Sequence, residues 1–268
     1  NEIFDLEGNN IYLGNSGFNL LDTKKLILSL GNIQLYAIGN PIIQLNKETQ
    51  NINILIENPN DNILFVGPGK LENWKIDVQG TKVGKEISNN ELTGCLSFYD
   101  IEFYKVSIST TNLSCEDSVN IISSLGQIEQ IKITDSISDG LDIDFSDIVI
   151  NNLEIINSLN DCLDLSGGVY LVDNFTAVNC GDKGLSIGES SSVSSKFINI
   201  NQAKFGIAVK DSSSLHLERF NGKNIETCFA SYRKKQEFSS SSSTILEFNC
   251  NGTLNNYVQK GSKLVINE

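Results

Sequence analysis

DGLDIDFS, residues 139–146, alternates apolar and polar side chains, with Leu141 and Ile143 on one side and Asp142 and Asp144 on the other. That is the period of a β-strand, whose successive side chains point to opposite faces. Stepping along the chain 22 residues at a time keeps the pattern in phase. Leu141, Leu163, Leu185, Ile207 and Phe229 form one column; Ile143, Leu165, Ile187 and Val209 form a second; Val149, Leu171, Val193 and Leu215 form a third. Asn157, Asn179 and Asn201 form a polar column. Short strands separated by Gly, Asn, Ser and Asp clusters fill each unit, and no stretch follows the helical period, so a helix bundle or an α/β sheet fits poorly.

A repeat of this length made only of strand and turn predicts an all-β parallel β-helix with about 22 residues per coil. Each coil lays its strands beside those of the next, about 4.8 Å away. The apolar columns then fill the interior, and the asparagines are expected to turn inward as a ladder at a bend. The whole chain, 1–268, reads as one domain: less regular coils over 1–94, regular coils with the candidate site over 95–236, and C-terminal coils over 237–268. Division by the period gives roughly 12 coils and an axial length of about 58 Å. Residues 239–243, all serine, read as a loop. No end cap is evident, which points to a homo-oligomer or a larger parent protein.

Composition narrows the function. Twenty Lys and Arg against 33 Asp and Glu give a net charge of -13, a field that repels phosphate backbones and argues against nucleic acid. No apolar run of membrane-spanning length is present. The chain begins at Asn1 and contains no Met, so it reads as a processed or trimmed product with any targeting signal outside it. The six cysteines lack zinc-ligand spacing and read mostly as buried small hydrophobes. Cys228 and Cys250, one period apart, would stack within disulfide reach.

The outward columns carry the chemistry. One reads Asp142, Asp164, Ser186, Ala208, Ala230; another Asp144, Ser166, Gly188, Lys210, Tyr232; the turn before the strand contributes Asp117, Asp139, Asp161, Lys183; after it come Glu189, Asp211 and Arg233. Carboxylates at strand spacing cannot all ionise without cost. They become protonated, pair with cations, or bind a metal. A protonated and an ionised carboxyl make an acid–base pair for glycoside cleavage, and Asp142, Asp144 and Asp164 are candidate calcium ligands. The small residues Ser186, Gly188 and Ala208 are expected to leave a cleft beside these charges. Tyr232, Tyr99 and Trp74 could meet a sugar ring, and YRKKQEF, residues 232–238, could close the cleft or meet an anion.

At these residues the sequence resembles the polygalacturonase family of glycoside hydrolases, within the pectin-lyase-like right-handed, single-stranded parallel β-helix proteins. SISDGLDI, NDCLDLSGG, GDKGLSIGE and GIAVKD stand in the order and spacing of that family's N-T-D, D-D, G-H-G and R-I-K motifs. The resemblance covers about residues 115–235. It places Asp139 at the Asp of N-T-D, Asn160 and Asp161 at D-D, Lys183 at the His of G-H-G, and Lys210 at the Lys of R-I-K. The first carboxylate of D-D is here an amide, and the family's His and Arg are replaced, so fold and site location are implied more firmly than reaction type. Asp182, one coil beyond Asn160, is a candidate replacement acid, and Lys183 or Lys210 could instead act as a base in a lyase or epimerase.

The expectation is therefore a secreted or cell-surface carbohydrate-active enzyme acting on a polysaccharide that contains uronic acids. Asp139, Asp161, Asp182, Lys183 and Lys210 are the catalytic candidates; Asn160, Asp142, Asp164, Ser186, Glu189, Tyr232 and Arg233 would contact substrate. No cofactor is required, and calcium is the candidate metal. The alternative is a non-catalytic glycan-binding or structural β-helix module of a larger surface assembly.

Overall fold

The computed structural model describes residues 24–81 and 92–267. They form a parallel β-solenoid of about nine turns, with about 22 residues per turn and no helix. The coil count is lower than the length-based estimate, and the solenoid is correspondingly shorter, roughly 40 Å at strand spacing. Part of the first segment, residues 1–23 and 82–91, lies outside the described residues.

The remaining shortfall has a structural reason. Lys24–Leu30 and Ile33–Ile38 pair antiparallel. Ile33–Ile38 continues antiparallel against the start of Asn62–Glu72, and Ile42–Asn46 pairs antiparallel with Asn51–Ile56. Parallel stacking begins only where Asn51–Ile56 meets Lys75–Gly80 and Asn62–Glu72 meets Gly94–Leu113. The described chain therefore opens with antiparallel pairs before the parallel coils begin.

From Gly94 onward the registers follow the columns. Val119, Leu141, Leu163, Leu185, Ile207 and Phe229 pair in succession, as do Ile121, Ile143, Leu165, Ile187 and Val209. All are buried. Toward the N-terminal end the second column becomes aromatic, with Phe65 and Phe98 stacked at 4.9 Å. Each such side chain contributes about 1.5–3 kcal/mol by leaving water, so the interior ladder is what holds the coils in phase. The strands are longer than single faces, because pairing runs on through bends at Asn151, Asp173, Lys196 and Glu218, which the register skips.

Three sequence expectations change. The column of Val149, Leu171, Val193 and Leu215 splits, because the turn at Glu189–Ser191 has one residue more than the turn at Gly167–Gly168. Val193 and Leu215 stack on Tyr170 and Ile148 inside, while Val149 and Leu171 stack on Ser194 and His216 outside. The asparagines do not turn inward. Asn157 and Asn179 sit at an external corner with left-handed backbone (φ 61° and 58°), a column that also holds Asn112, Asp135, Gln202 and Asn224. The Asn157 amide donates to Asp135 and the Asn179 amide to Asn157, each at 2.7 Å. Asn is the residue best suited to that backbone after Gly, and the inserted residue puts Gln202 rather than Asn201 there. Finally, a strand, Ser242–Cys250, begins inside the serine run.

All six cysteines are in disulfides: Cys95–Cys115, Cys162–Cys180 and Cys228–Cys250. The reading of most as free hydrophobes is corrected, and the pairing of Cys228 with Cys250 holds. Cysteines that lie most of a turn apart in sequence become neighbours across one coil, a relation invisible without the winding. Three disulfides point to an oxidising compartment. No helix among the described residues is long and apolar enough to cross a membrane.

Candidate functional site

One wall of the solenoid is formed by Asp117–Ile122, Asp139–Asp144, Leu163–Ser166, Lys183–Gly188 and the strand segments that continue it. Along its outside, Asn120, Asp142, Asp164, Ser186, Ala208 and Ala230 are successive register partners. Flanking them run Ile122, Asp144, Ser166 and Gly188 on one side and Asp117, Asp139, Asp161 and Lys183 on the other. The apolar-in, polar-out alternation of each short strand makes these positions face away from the core.

The carboxyls on this wall are crowded and half-buried, and they titrate accordingly. Asp142 is pushed up to about 9, first by desolvation and then by the charges of Asp117, Asp144, Asp164 and Asp139. Among the described residues its hydrogen-bond donor is the Asn120 amide at 3.3 Å. Asp117 is raised to about 7, again mainly by burial, although the Thr93 hydroxyl partly offsets this. Asp144 is raised by burial and by Asp164 and Glu189. Asp164 Oδ1 is buried and accepts no hydrogen bond, and the neighbouring Ser186 hydroxyl is fully buried and equally unpartnered. Buried polar atoms normally find partners; of the buried side-chain atoms that lack one, these two are register neighbours in this column.

The flanking column behaves differently. Asp139 Oδ1 accepts from the Asp161 backbone N–H at 2.7 Å and from the Asn160 amide at 2.7 Å. Asp161 Oδ1 accepts from the Lys183 backbone N–H at 3.0 Å. Each carboxylate thus ties its own coil to the next. Lys183 Nζ bridges Asp161, at 3.2 Å, and Asp182. Burial raises the Asp161 carboxyl to about 6 despite the Lys183 charge. Burial also works against the charge of Lys183, but Asp161 and Asp182 outweigh it and hold the ammonium above the usual lysine range.

Lys210 is the other cation, 6% exposed. A Cβ placed on Gly188 would lie 3.5 Å from Lys210 Cε, 3.9 Å from its Nζ and 3.8 Å from Ser166 Oγ. The lysine therefore reaches back over Gly188 toward Ser166, and Gly188 lacks a side chain where the lysine passes. Among the described residues the Lys210 side chain makes no ion pair or hydrogen bond. Lys235 pairs with Glu189, and the backbone N–H groups of Lys234 and Lys235 donate to Asp211 Oδ1 at 2.6 and 2.8 Å. The basic segment is thereby tied to Asp211 and Glu189.

The structure brings Asp139, Asp161, Asp182 and Lys183 together, and it sets Asp142, Asp164 and Ser186 in one file beside them. Asn160 is exposed and braces Asp139. Tyr232 is half-buried, its ring 6.1 Å from that of Tyr257. Arg233 is exposed and takes part only through its backbone N–H, which donates to Gln259 at 2.7 Å. Trp74 is half-buried and packs against the core. The expected open cleft at Ser186, Gly188 and Ala208 is corrected: all three are buried, covered by neighbours such as Lys210. Asp142, Asp144 and Asp164 form no calcium cage; among the described residues no group of three or more His, Cys, Asp or Glu side chains is arranged to hold a metal. Sequence reasoning passed over Asn120, although one period back from Asp142 leads to it, because the coil before Asp117 repeats less cleanly. Two shallow hollows lie elsewhere, one lined by Asn112, Asp135, Asn157 and Leu159 and the other by Gln130, Asn152, Glu154 and Asn174; neither holds a lysine or a group of carboxylates.

The fold defines the chain as a parallel β-solenoid with an outward acid–lysine wall. No known family model, curated protein or solved structure matches it, so the polygalacturonase resemblance rests on the motif positions alone.

Proposed function

We propose that this protein is a secreted carbohydrate-active enzyme that cleaves a glycosidic bond in a polysaccharide containing uronic acids. The observation that carries the reading is Asp142, a carboxyl that keeps its proton at neutral pH, stacked in register on Asp164, whose buried oxygen has no donor. Two stacked carboxyls whose charges oppose one another hold a proton between them, and such a pair supplies the acid and the base or nucleophile of glycoside hydrolysis. Asp142 donates to the leaving oxygen; Asp164 attacks or activates water. Lys210, whose side chain makes no ion pair or hydrogen bond among the described residues, meets a sugar carboxylate. Lys183 is kept protonated by Asp161 and Asp182 and is a poor base, which favours hydrolysis over a Lys183-driven elimination. Asp139 and Asp161, bound to backbone N–H groups, act as positioning residues.

The test is a panel of acidic and neutral polysaccharides assayed for new reducing ends and for unsaturated products, with and without calcium. Wild type is expected to generate reducing ends and Asp142→Asn to lose them. Unsaturated products would replace hydrolysis by elimination. Saturable binding with neither product would favour the second reading, a glycan-binding or structural module. That reading is supported by the way Asp139 and Asp161 each commit an oxygen to the next coil's backbone.

A further inference from the structure

Three Asn-x-Ser/Thr triplets lie in the sequence: Asn112-Leu113-Ser114, Asn174-Phe175-Thr176 and Asn251-Gly252-Thr253. Such a triplet on the surface of a chain that enters an oxidising compartment is an acceptor for an N-linked sugar, and the three disulfides point to that compartment. The fold separates the three. Asn251 directly follows the strand Ser242–Cys250 and lies outside any strand, and both it and Thr253 are exposed. The backbone N–H of Thr253 donates to Ile225 at 3.1 Å and that of Leu254 to Glu226 at 2.7 Å, so the loop is anchored beyond Asn251 while Asn251 stands in water. Asn174 sits in the strand Val169–Cys180. It and Thr176 point outward on either side of Phe175, which is fully buried. Asn174 is exposed, and its amide makes long contacts, 3.3 Å to the Asn151 carbonyl and 3.5 Å to Asn152 Oδ1. Asn112 is held the other way. Its backbone is left-handed, φ 57°, its Oδ1 is buried, and Ser114 is 7% exposed beside Cys115 of the Cys95–Cys115 bridge.

We propose that Asn174 and Asn251 carry N-linked glycans in the folded protein and that Asn112 does not. In the transfer, the asparagine Nδ2 attacks C1 of a sugar chain held on a polyprenyl diphosphate. The Nδ2–C1 bond forms, the bond from C1 to the diphosphate oxygen breaks, the lipid diphosphate leaves, and the amide gives up one proton. The substituted amide keeps one N–H, so Asn174 can still donate to its neighbour. A sugar on Asn112 would draw the buried carboxamide out of its coil, because a bulky, polar glycan cannot follow it inside. The two attachment points also keep the sugars off the acidic file. Asn174 pairs with Asn152 and Phe197 beyond the bend at Asp173, not with the strands of Asp142 and Asp164. Asn251 comes before the Thr227–Leu254 bridge, where the chain rejoins that wall.

The experiment secretes the full chain from a eukaryotic host behind a cleavable signal and isolates the folded, disulfide-bonded product. Peptide N-glycosidase in heavy-oxygen water then turns each glycosylated asparagine into a mass-tagged aspartate, which peptide mass spectrometry locates. Tags are expected at Asn174 and Asn251 and none at Asn112. Thr253→Ala should remove the glycan at Asn251 alone and Thr253→Ser should keep it, since the transfer reads the hydroxyl at that place in the triplet. Circular dichroism of both variants should match the wild type, as expected for an exposed loop residue. A folded, secreted chain that lacks the tag at Asn174 or at Asn251, or that carries one at Asn112, overturns the proposal. So does a glycan at Asn251 that survives Thr253→Ala. None of these outcomes depends on what the acidic wall does.

Discussion

The wall that carries Asp142 and the walls that carry the asparagine ladders are made by the same coils in the same register, yet they solve the stacking of polar groups in opposite ways. On the ladder side, outward amides and charges find partners one coil away: Asn179 on Asn157, Asn221 on Asn199 at 2.8 Å, Asn249 on Asn221 at 3.1 Å, and Lys132 paired with Glu154 at 2.8 Å. An amide has both donor and acceptor, so a file of identical residues satisfies itself. An ionised carboxylate has acceptors only. A file of aspartates must take up protons or leave oxygens unpaired; Asp142 does the first and Asp164 the second. The same geometry yields a stabilising ladder from one residue type and a reactive surface from the other.

The sharpest way to break this contrast is to give the acidic file the chemistry of the ladder. Asp142→Asn should lower turnover by about 10²- to 10⁴-fold, the range for loss of a general acid, while far-ultraviolet circular dichroism stays unchanged. Retained activity would mean that the acidic file is only a ladder that happens to be protonated.

The same contrast should be visible in stability against pH. Asp142, Asp117 and Asp161 have folded-state values raised to about 9, 7 and 6. The folded state therefore holds protons more tightly than the unfolded chain. That stabilisation is complete below pH about 4 and is lost as pH rises through 6, 7 and 9. Denaturant unfolding is expected to show a protein less stable at pH 8 than at pH 5, with Asp142 alone responsible for roughly 4 kcal/mol at about 1.4 kcal/mol per pH unit. Asp142→Asn should flatten the curve; an unchanged slope would remove Asp142 as its cause.

The disulfides support both walls. Replacing Cys162 and Cys180, 18 residues apart, by serine should lower stability by about 3 kcal/mol through the restored freedom of the unfolded loop, measured by urea unfolding in non-reducing buffer. The smallest effect belongs to the ladder. Asn179→Ala loses one amide contact and places a less suitable residue in a left-handed backbone, a change of about 1–2 kcal/mol, with no change in the pH profile set by the carboxyls.

Much of this was legible residue by residue. Leu141, Leu163, Leu185 and Ile207 could be aligned by counting, because a solenoid converts a fixed sequence interval into a fixed spatial step, and that step also named Asp142, Asp164 and Ser186 as one file. Counting failed where the interval changed. The extra residue near Ser190 put Val193 on the inside while Leu171, before it, faces outside, and the antiparallel strands before Phe65 replaced coils that simple division had assumed. It also could not tell whether Asn157 turned in or out, because an amide is equally suited to a buried bend and to a left-handed corner.

Alternation and period were enough to establish the winding and the membership of each column, since strand polarity and repeat length are local properties of the chain. The partners of the cysteines, the path of Lys210 across Gly188, the proton held by Asp142 and the isolation of Asp164 Oδ1 came only from the folded molecule. Each depends on distances between side chains on different coils and on how much water those coils exclude, and neither quantity is written in the order of the residues.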